Sequence, residues 1–316
     1  MPSPELLTWI VLAVLVVGML ALDLLVVRRD AHEIGLREAA TWSGVWIALG
    51  LGFGGFVFAT RGPELGGAYL AGYLIEKSLS MDNVFLFAII FAHFAVPAVY
   101  QHRVLFWGVI GAIAFRAVFI VAGAALLEAV HWLIYVLGAV LLVTGVRMWR
   151  TRGHAVDPSR SRVLALLRRL VPVTAEYRGD RFLVREAGRI AVTPLFAVLV
   201  FVETSDILFA IDSIPAIFAI TTDPFIVFSS NLFAMLGLRS LYFLLAGLVD
   251  RFVYLKQGLA ALLVFAGVKI LLAEAWKMPV ALSLGAIVLI LGTAIAASLW
   301  TTRSRSLPHP TAETPR

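Results

Sequence analysis

The chain has 316 residues, of which 61% are hydrophobic and 15% charged, with a formal net charge of +6. That balance excludes an ordinary soluble domain and fits a polytopic membrane protein. The absence of cysteine excludes disulfides, thiolate nucleophiles, iron–sulfur clusters and cysteine-based zinc sites.

Apolar runs of roughly 18 residues or more mark spanning helices. Nine are expected, at about 6–27, 41–59, 67–91, 103–122, 126–148, 193–219, 225–248, 257–273 and 279–300. The N-terminus MPSPELL carries no positive residue before its apolar run, so the first helix is read as retained, not as a cleaved signal peptide. The fourth and fifth helices are expected to meet at a tight turn near Ala124 to Glu128. The fold class is therefore all-α and membrane-embedded. Residues 1–148 form a first membrane half of five helices, 149–192 a basic cytoplasmic loop, 193–300 a second half of four helices, and 301–316 a disordered cytoplasmic tail. Within the loop, Ser161 to Val173 reads either as a basic amphipathic helix on the inner leaflet or as part of a solvated linker.

Loop charge sets the orientation. One side receives Arg28, Arg29, Arg37, Arg103, eleven arginines from Arg147 to Arg189, Arg251, Lys256, Arg303, Arg305 and Arg316, and the other only Arg61 and Lys277. The positive-inside rule makes the rich side cytoplasmic, which puts the N-terminus outside and the C-terminus inside, in a bacterial inner membrane. The positive net charge is then a topology signal, and no nucleic-acid partner is expected.

The expected spans contain acids: Asp23, Glu76, Asp82, Glu203, Asp206 and Asp212, together with Lys77, Arg116, Arg239 and Lys269. Each charge at a helix centre costs roughly 3 kcal/mol on insertion scales. Such groups persist where they pair, titrate or bind a cation. Two stretches align: EKSLSMDNVFLFAIIF from Glu76 and DILFAIDSIPAIFAIT from Asp206. Acid meets acid at the first position, Asp82 matches Asp212 at the seventh, and Asn83 matches Ser213. The copies fall on the third and sixth helices, which run in opposite directions, so inverted three-helix repeats with a midplane site are expected.

Glu203 and Asp206 share a helix face. Asp212 lies six residues past Asp206, about 120° round an ideal helix, and converges with it only if the helix breaks; Pro215 is the expected break. In the first copy a break would have to come from Gly72 or Ser80. Carboxylates, an amide and hydroxyls make an all-oxygen set, which suits magnesium, calcium or manganese. The expected metal-site residues are Glu76, Asp82, Asn83, Glu203, Asp206, Asp212 and Ser213.

The stretches EKSLSMDN, TPLFAVLVFVETSDILFAIDSIPAIFAIT and SSNLFAMLGLRSLYFLLAGL resemble the TerC family of integral membrane proteins, in particular its Alx-type members. The resemblance runs from the first helix to about Lys269. It implies kinship with LysE-like cation exporters, manganese efflux as the activity, and tellurium resistance as the associated phenotype. It also places Glu76, Asp82, Glu203, Asp206 and Asp212 among the family's intramembrane acids, with Asn83, Ser213, Asn231 and Arg239 in its motif segments.

Plainer roles stand beside these. Asp23 lies about one turn from Arg28 and could pair with it. Lys77 reads as a snorkelling or counter-ion residue, and Arg116, Asn231 and Arg239 as counter-charge or gating groups. Three function classes remain. The first is a secondary transporter of a divalent cation, manganese with calcium as the alternative, exchanged for protons, with no permanently bound cofactor. The second is a membrane scaffold for soluble cytoplasmic stress proteins. The third is an intramembrane aspartyl-type enzyme; the first class would make the chain no enzyme.

Overall fold

The computed structural model describes residues 4–27, 35–130, 132–150, 171–174, 176–186, 189–245, 254–276 and 278–305. The expected amphipathic segment at 161–173 lies almost wholly outside them, as does the tail beyond Arg305. The described residues are mostly helical: α1 Pro4–Val27, α2 Leu36–Arg61, α3 Pro63–His93, α4 Ala98–Ala129, α5 Leu133–Arg150, α6 Pro194–Phe218, α7 Pro224–Met235, α8 Leu238–Leu245, α9 Leu255–Leu271 and α10 Val280–Arg305. Five of them (α2, α4, α5, α6 and α10) are long and apolar enough to cross a membrane, and six spans result if the bent pair α7–α8 is taken as one.

Helix starts and stops follow local chemistry. Proline opens α1, α3, α6 and α7, where its missing N–H has no intrahelical partner to lose. Gly62, at φ +88°, ends α2 and is followed at once by Pro63 of α3. The end of α3 is closed by a Schellman motif: the N–H of Ala95 bonds the Ala92 carbonyl, that of Val96 bonds the Phe91 carbonyl, and Ala95 takes the left-handed conformation at φ +49°.

The long helix α3 is central, packing against α2, α6, α7 and α10. Lipid-like surface surrounds this centre: Val14 and Val17 on α1, Val118 and Val121 on α4 and Leu289 on α10 are exposed, as expected for side chains facing hydrocarbon. The pair α5–α9 is held close by small residues. A Cβ at Gly267 would meet the Gly138 carbonyl oxygen at 2.7 Å, and one at Gly145 the Ala260 carbonyl oxygen at 2.9 Å, the packing that membrane helices use in place of a hydrophobic driving force.

Three expectations about turns and breaks are corrected. Helix α4 continues through Gly123 to Ala129, and the turn to α5 falls at Val130 and Trp132. A single helical glycine costs only about 1 kcal/mol and no proline is present to end the helix. Helix α6 runs unbroken through Pro215 to Phe218. Pro215 sits in the last turn, so only one backbone bond is lost there before the helix ends of its own accord. Helix α3 is likewise continuous through Gly72 and Ser80. The break lies in the next span, where α7 and α8 bend by 41° at Leu236 and Gly237. Gly237 has φ +82°, and a Cβ there would lie 2.6 Å from the Cβ of Trp46 on α2.

The fold is also not purely helical. Strands β1 Leu183–Glu186 and β2 Arg189–Val192 form an antiparallel hairpin with Leu183 opposite Val192. Val173 joins it through a parallel bridge to Val192. The hairpin region is docked on the helix ends. Arg103 of α4 pairs with Asp180, and the Tyr177 hydroxyl donates to the Phe94 carbonyl at 2.7 Å. Burial holds that hydroxyl above the ordinary tyrosine range, which keeps it a donor. Residues 176–186 and 189–192 are thus folded against the helix ends, within the stretch read as a basic loop.

Candidate functional site

The site is built around Arg116, which projects from α4 and is 2% exposed. A guanidinium at that depth needs acceptors on every side, and three other helices supply them. Glu76 comes from α3, Asp206 and Ser213 from α6, Asn231 from α7; all are buried. Arg116 Nη1 makes a close ion pair with Glu76 Oε1 and also donates to Ser213 Oγ and Asn231 Oδ1, each at 3.1 Å. Its Nε and Nη2 form a bidentate pair with Asp206 at 3.4 and 3.3 Å. The remaining oxygens are tied in turn. Asn231 Nδ2 donates to Glu76 Oε2 at 3.2 Å, and Asn83 Nδ2 of α3 donates to Asp206 Oδ1 at 3.2 Å.

Helical periodicity explains which residues meet. On α3, Glu76, Ser80 and Asn83 follow an i, i+4, i+7 stripe. On α6, Asp206 and Ser213 are seven apart and share a face. Asp82 and Asp212 each lie six residues from the acid of their copy, about 120° round a continuous helix. Since α6 is unbroken, the condition on which Asp212 was expected to converge with Asp206 is not met. The side chains of Asp82, Asp212 and Asp23 lie outside the described residues.

Glu203 stands one turn before Asp206, against α4. A Cβ at Gly111 would run into its carboxylate, and its buried Oε2 has no hydrogen-bond partner. Lys77 points elsewhere: its Nζ donates to the Ala234 carbonyl at 3.1 Å. That carbonyl is in the last turn of α7, one of those the helix break leaves without an intrahelical donor, and a cation there also suits the negative end of the helix. Arg239 is buried on α8, beyond the break.

Among the described residues, no three His, Asp or Glu side chains gather as a metal-holding group. The arrangement is two acids, one from each aligned stretch, sharing one arginine. Sequence reasoning assigned Arg116 a counter-charge role but not the centre of the site. It considered Ser80 only as a possible break and not as part of the site; Ser80 is a buried residue on the α3 stripe whose hydroxyl has no partner, and its position four residues past Glu76 was the available signal. Gly72, considered as a break, instead permits close approach: a Cβ there would lie 2.8 Å from Ser230 Oγ of α7.

A second polar cluster lies where α2 ends and α7 begins. Asp223 caps α7 by accepting from the Phe225 and Ile226 N–H groups at 2.9 and 3.1 Å. Arg61 pairs with it at 3.7 Å, lies 4.3 Å from the Phe225 ring centroid and donates to Thr8 Oγ1 at 3.2 Å. This clamp ties α1, α2 and α7 together at one end of the bundle.

Comparison with known proteins places the chain. It is 50% identical over 308 residues to an uncharacterized membrane protein of Myxococcus xanthus, covering 98% of this chain and 96% of the relative. It is 45% identical over 308 residues to the putative membrane-bound redox modulator Alx of Salmonella typhi, covering 95% and 96%. It is 39% identical over 292 residues to an uncharacterized membrane protein of Rickettsia bellii, covering 92% and 97%. No solved structure matches. Residues 61–306 match the model of the integral membrane protein TerC family, and the chain belongs to that family.

Proposed function

We propose that this chain is a secondary transporter that exports a divalent metal cation, manganese before calcium, from the cytoplasm in exchange for protons. The observation that carries the reading is the pair Glu76 and Asp206: two acids buried on long apolar helices, where a charge without a task is selected against. Their neighbours Asn83, Ser213 and Asn231 add amide and hydroxyl oxygens, the ligand type of hard divalent ions. Asp82, Glu203 and Asp212 are proposed to serve the same ion along its path.

The contacts also favour the inverted-repeat reading. The first residues of the two aligned stretches, Glu76 and Asp206, meet on one guanidinium. The eighth residue of the first stretch, Asn83, reaches the first of the second, Asp206. The eighth of the second, Ser213, shares Nη1 with Glu76. Two stretches laid antiparallel produce this reciprocity. On this reading α1, α3 and α9 are spans too, giving nine, with the N-terminus outside and the arginine-rich ends in the cytoplasm of an inner membrane.

An aspartyl-type enzyme is less well supported. It needs two carboxyl groups sharing a proton, and here a guanidinium stands between them. The name of the Salmonella typhi relative includes redox modulation; with no cysteine, this chain brings no thiol of its own to such a role. The test is the metal content of cells lacking the protein. Manganese should rise and fall again on complementation, and Asp206→Asn should not complement. Unchanged manganese with raised zinc or copper would overturn the oxygen-ligand argument.

A further inference from the structure

The transporter reading leaves Arg116 without a task beyond charge balance, and the contacts give it one. Five oxygen atoms accept from this guanidinium: Glu76 Oε1, both carboxylate oxygens of Asp206, Ser213 Oγ and Asn231 Oδ1. They come from three helices and converge on one cation. A sixth oxygen, Asn83 Oδ1, is buried in the same cluster with no hydrogen-bond partner, on a residue 2% exposed whose other amide atom already bonds Asp206. Six oxygens with two negative charges form a ligand set of the size and charge that a hard divalent ion takes. The resident guanidinium offers only one positive charge against those two.

The space on one side of the arginine is also tight. The gap beside Arg116, lined by Ile113, Ile120, Phe228, Leu232 and Met235, is too tight for a water molecule. On that side an ion finds room beside Asn231 only if the guanidinium moves.

Resting on the transporter reading, we propose that Arg116 is a tethered cation that fills the metal site between loads, so that a divalent ion binds by displacing it. The arginine then does two things. It holds the empty site closed and charge-compensated, and it competes with the ion, which weakens binding enough for release. A merely structural counter-charge predicts the opposite response to its removal. Without the competitor a tethered-cation site binds metal more tightly, whereas a site that needs its arginine for architecture binds it less.

The experiment measures Mn2+ binding alone, by calorimetry on the purified full chain in detergent, for wild type, Arg116→Gln and Arg116→Lys. The proposal expects Arg116→Gln to bind at least about tenfold more tightly than wild type. It expects Arg116→Lys, which keeps the charge but loses the bidentate fork, to fall between them. It also expects Mn2+ to raise the unfolding temperature of Arg116→Gln more than that of wild type. Equal or weaker binding by Arg116→Gln overturns the proposal while leaving the transporter reading in place. If neither wild type nor Arg116→Gln binds Mn2+, the transporter reading itself falls. If Arg116→Gln folds only when Mn2+ is supplied, the proposal stands. If it does not fold even then, Arg116→Lys decides, and a wild-type Kd for that variant overturns the proposal.

Discussion

Gly237→Ala isolates the break between α7 and α8, which sets Asn231 and the Ala234 carbonyl against the arginine centre and Lys77. Two penalties combine at this position. An L-residue held at φ +82° carries roughly 1–2 kcal/mol of left-handed strain. The new methyl would also lie 2.6 Å from both Cβ and Cγ of Trp46. These are backbone-proximal atoms of a residue 3% exposed, so relief requires α2 to move, at an overpacking cost of about 1–3 kcal/mol. The sum, about 2–5 kcal/mol, is a large share of a typical stability of roughly 5–15 kcal/mol. Thermal unfolding of the purified variant in detergent should show a fall of several degrees or more. Gly52→Ala is the control. That helical glycine has nothing within 4 Å of a built Cβ, so alanine should be neutral or add up to about 1 kcal/mol. A Gly237→Ala protein within about 0.5 kcal/mol of wild type would refute the claim that this glycine makes the break.

Asp206→Asn should destabilise the fold by about 3–5 kcal/mol, because it leaves the buried Arg116 without its bidentate partner; denaturant titration reads this directly. The neutral triple variant Glu76→Gln, Asp206→Asn, Arg116→Leu should recover most of that loss yet carry no metal flux, separating folding from function. Ala95→Gly, at the left-handed position closing α3, should raise stability by roughly 0.5–1 kcal/mol; a decrease would show that Ala95 is not strained. Because the chain has no cysteine, single cysteines at the exposed positions Arg185 and Thr222 report sidedness cleanly. An impermeant thiol reagent should label Thr222→Cys in intact cells and Arg185→Cys only in opened ones, and the reverse pattern would invert the proposed orientation.

Much of the architecture was readable because bilayer physics leaves strong marks. Apolar runs located the helices, and the acids among them, with the alignment of their two stretches, singled out Glu76 and Asp206, which meet on Arg116. What escaped was local geometry. Pro215 looked like the helix breaker, but a proline in a last turn costs one bond at a helix end. The real break needed the reading of a lone glycine, Gly237, inside an apolar run, a signal that gains meaning only when Trp46 is seen across from it. The strand pair β1–β2 was hidden by its arginines, which suggested a solvated loop while four of its residues paired with four others. The centrality of Arg116 was not legible from spacing, since α4 brings no acid to the site and no copy of the aligned stretch; only the folded arrangement shows that four side chains converge on it.

The central claim, that buried acids from two aligned stretches move a divalent cation, is tested most directly by flux in proteoliposomes containing only the purified chain. The account predicts manganese movement above protein-free vesicles, driven by an imposed pH gradient and lost in the triple variant, which is expected to fold. Manganese, calcium and magnesium flux all indistinguishable from protein-free vesicles, or flux undiminished in the triple variant, would contradict it.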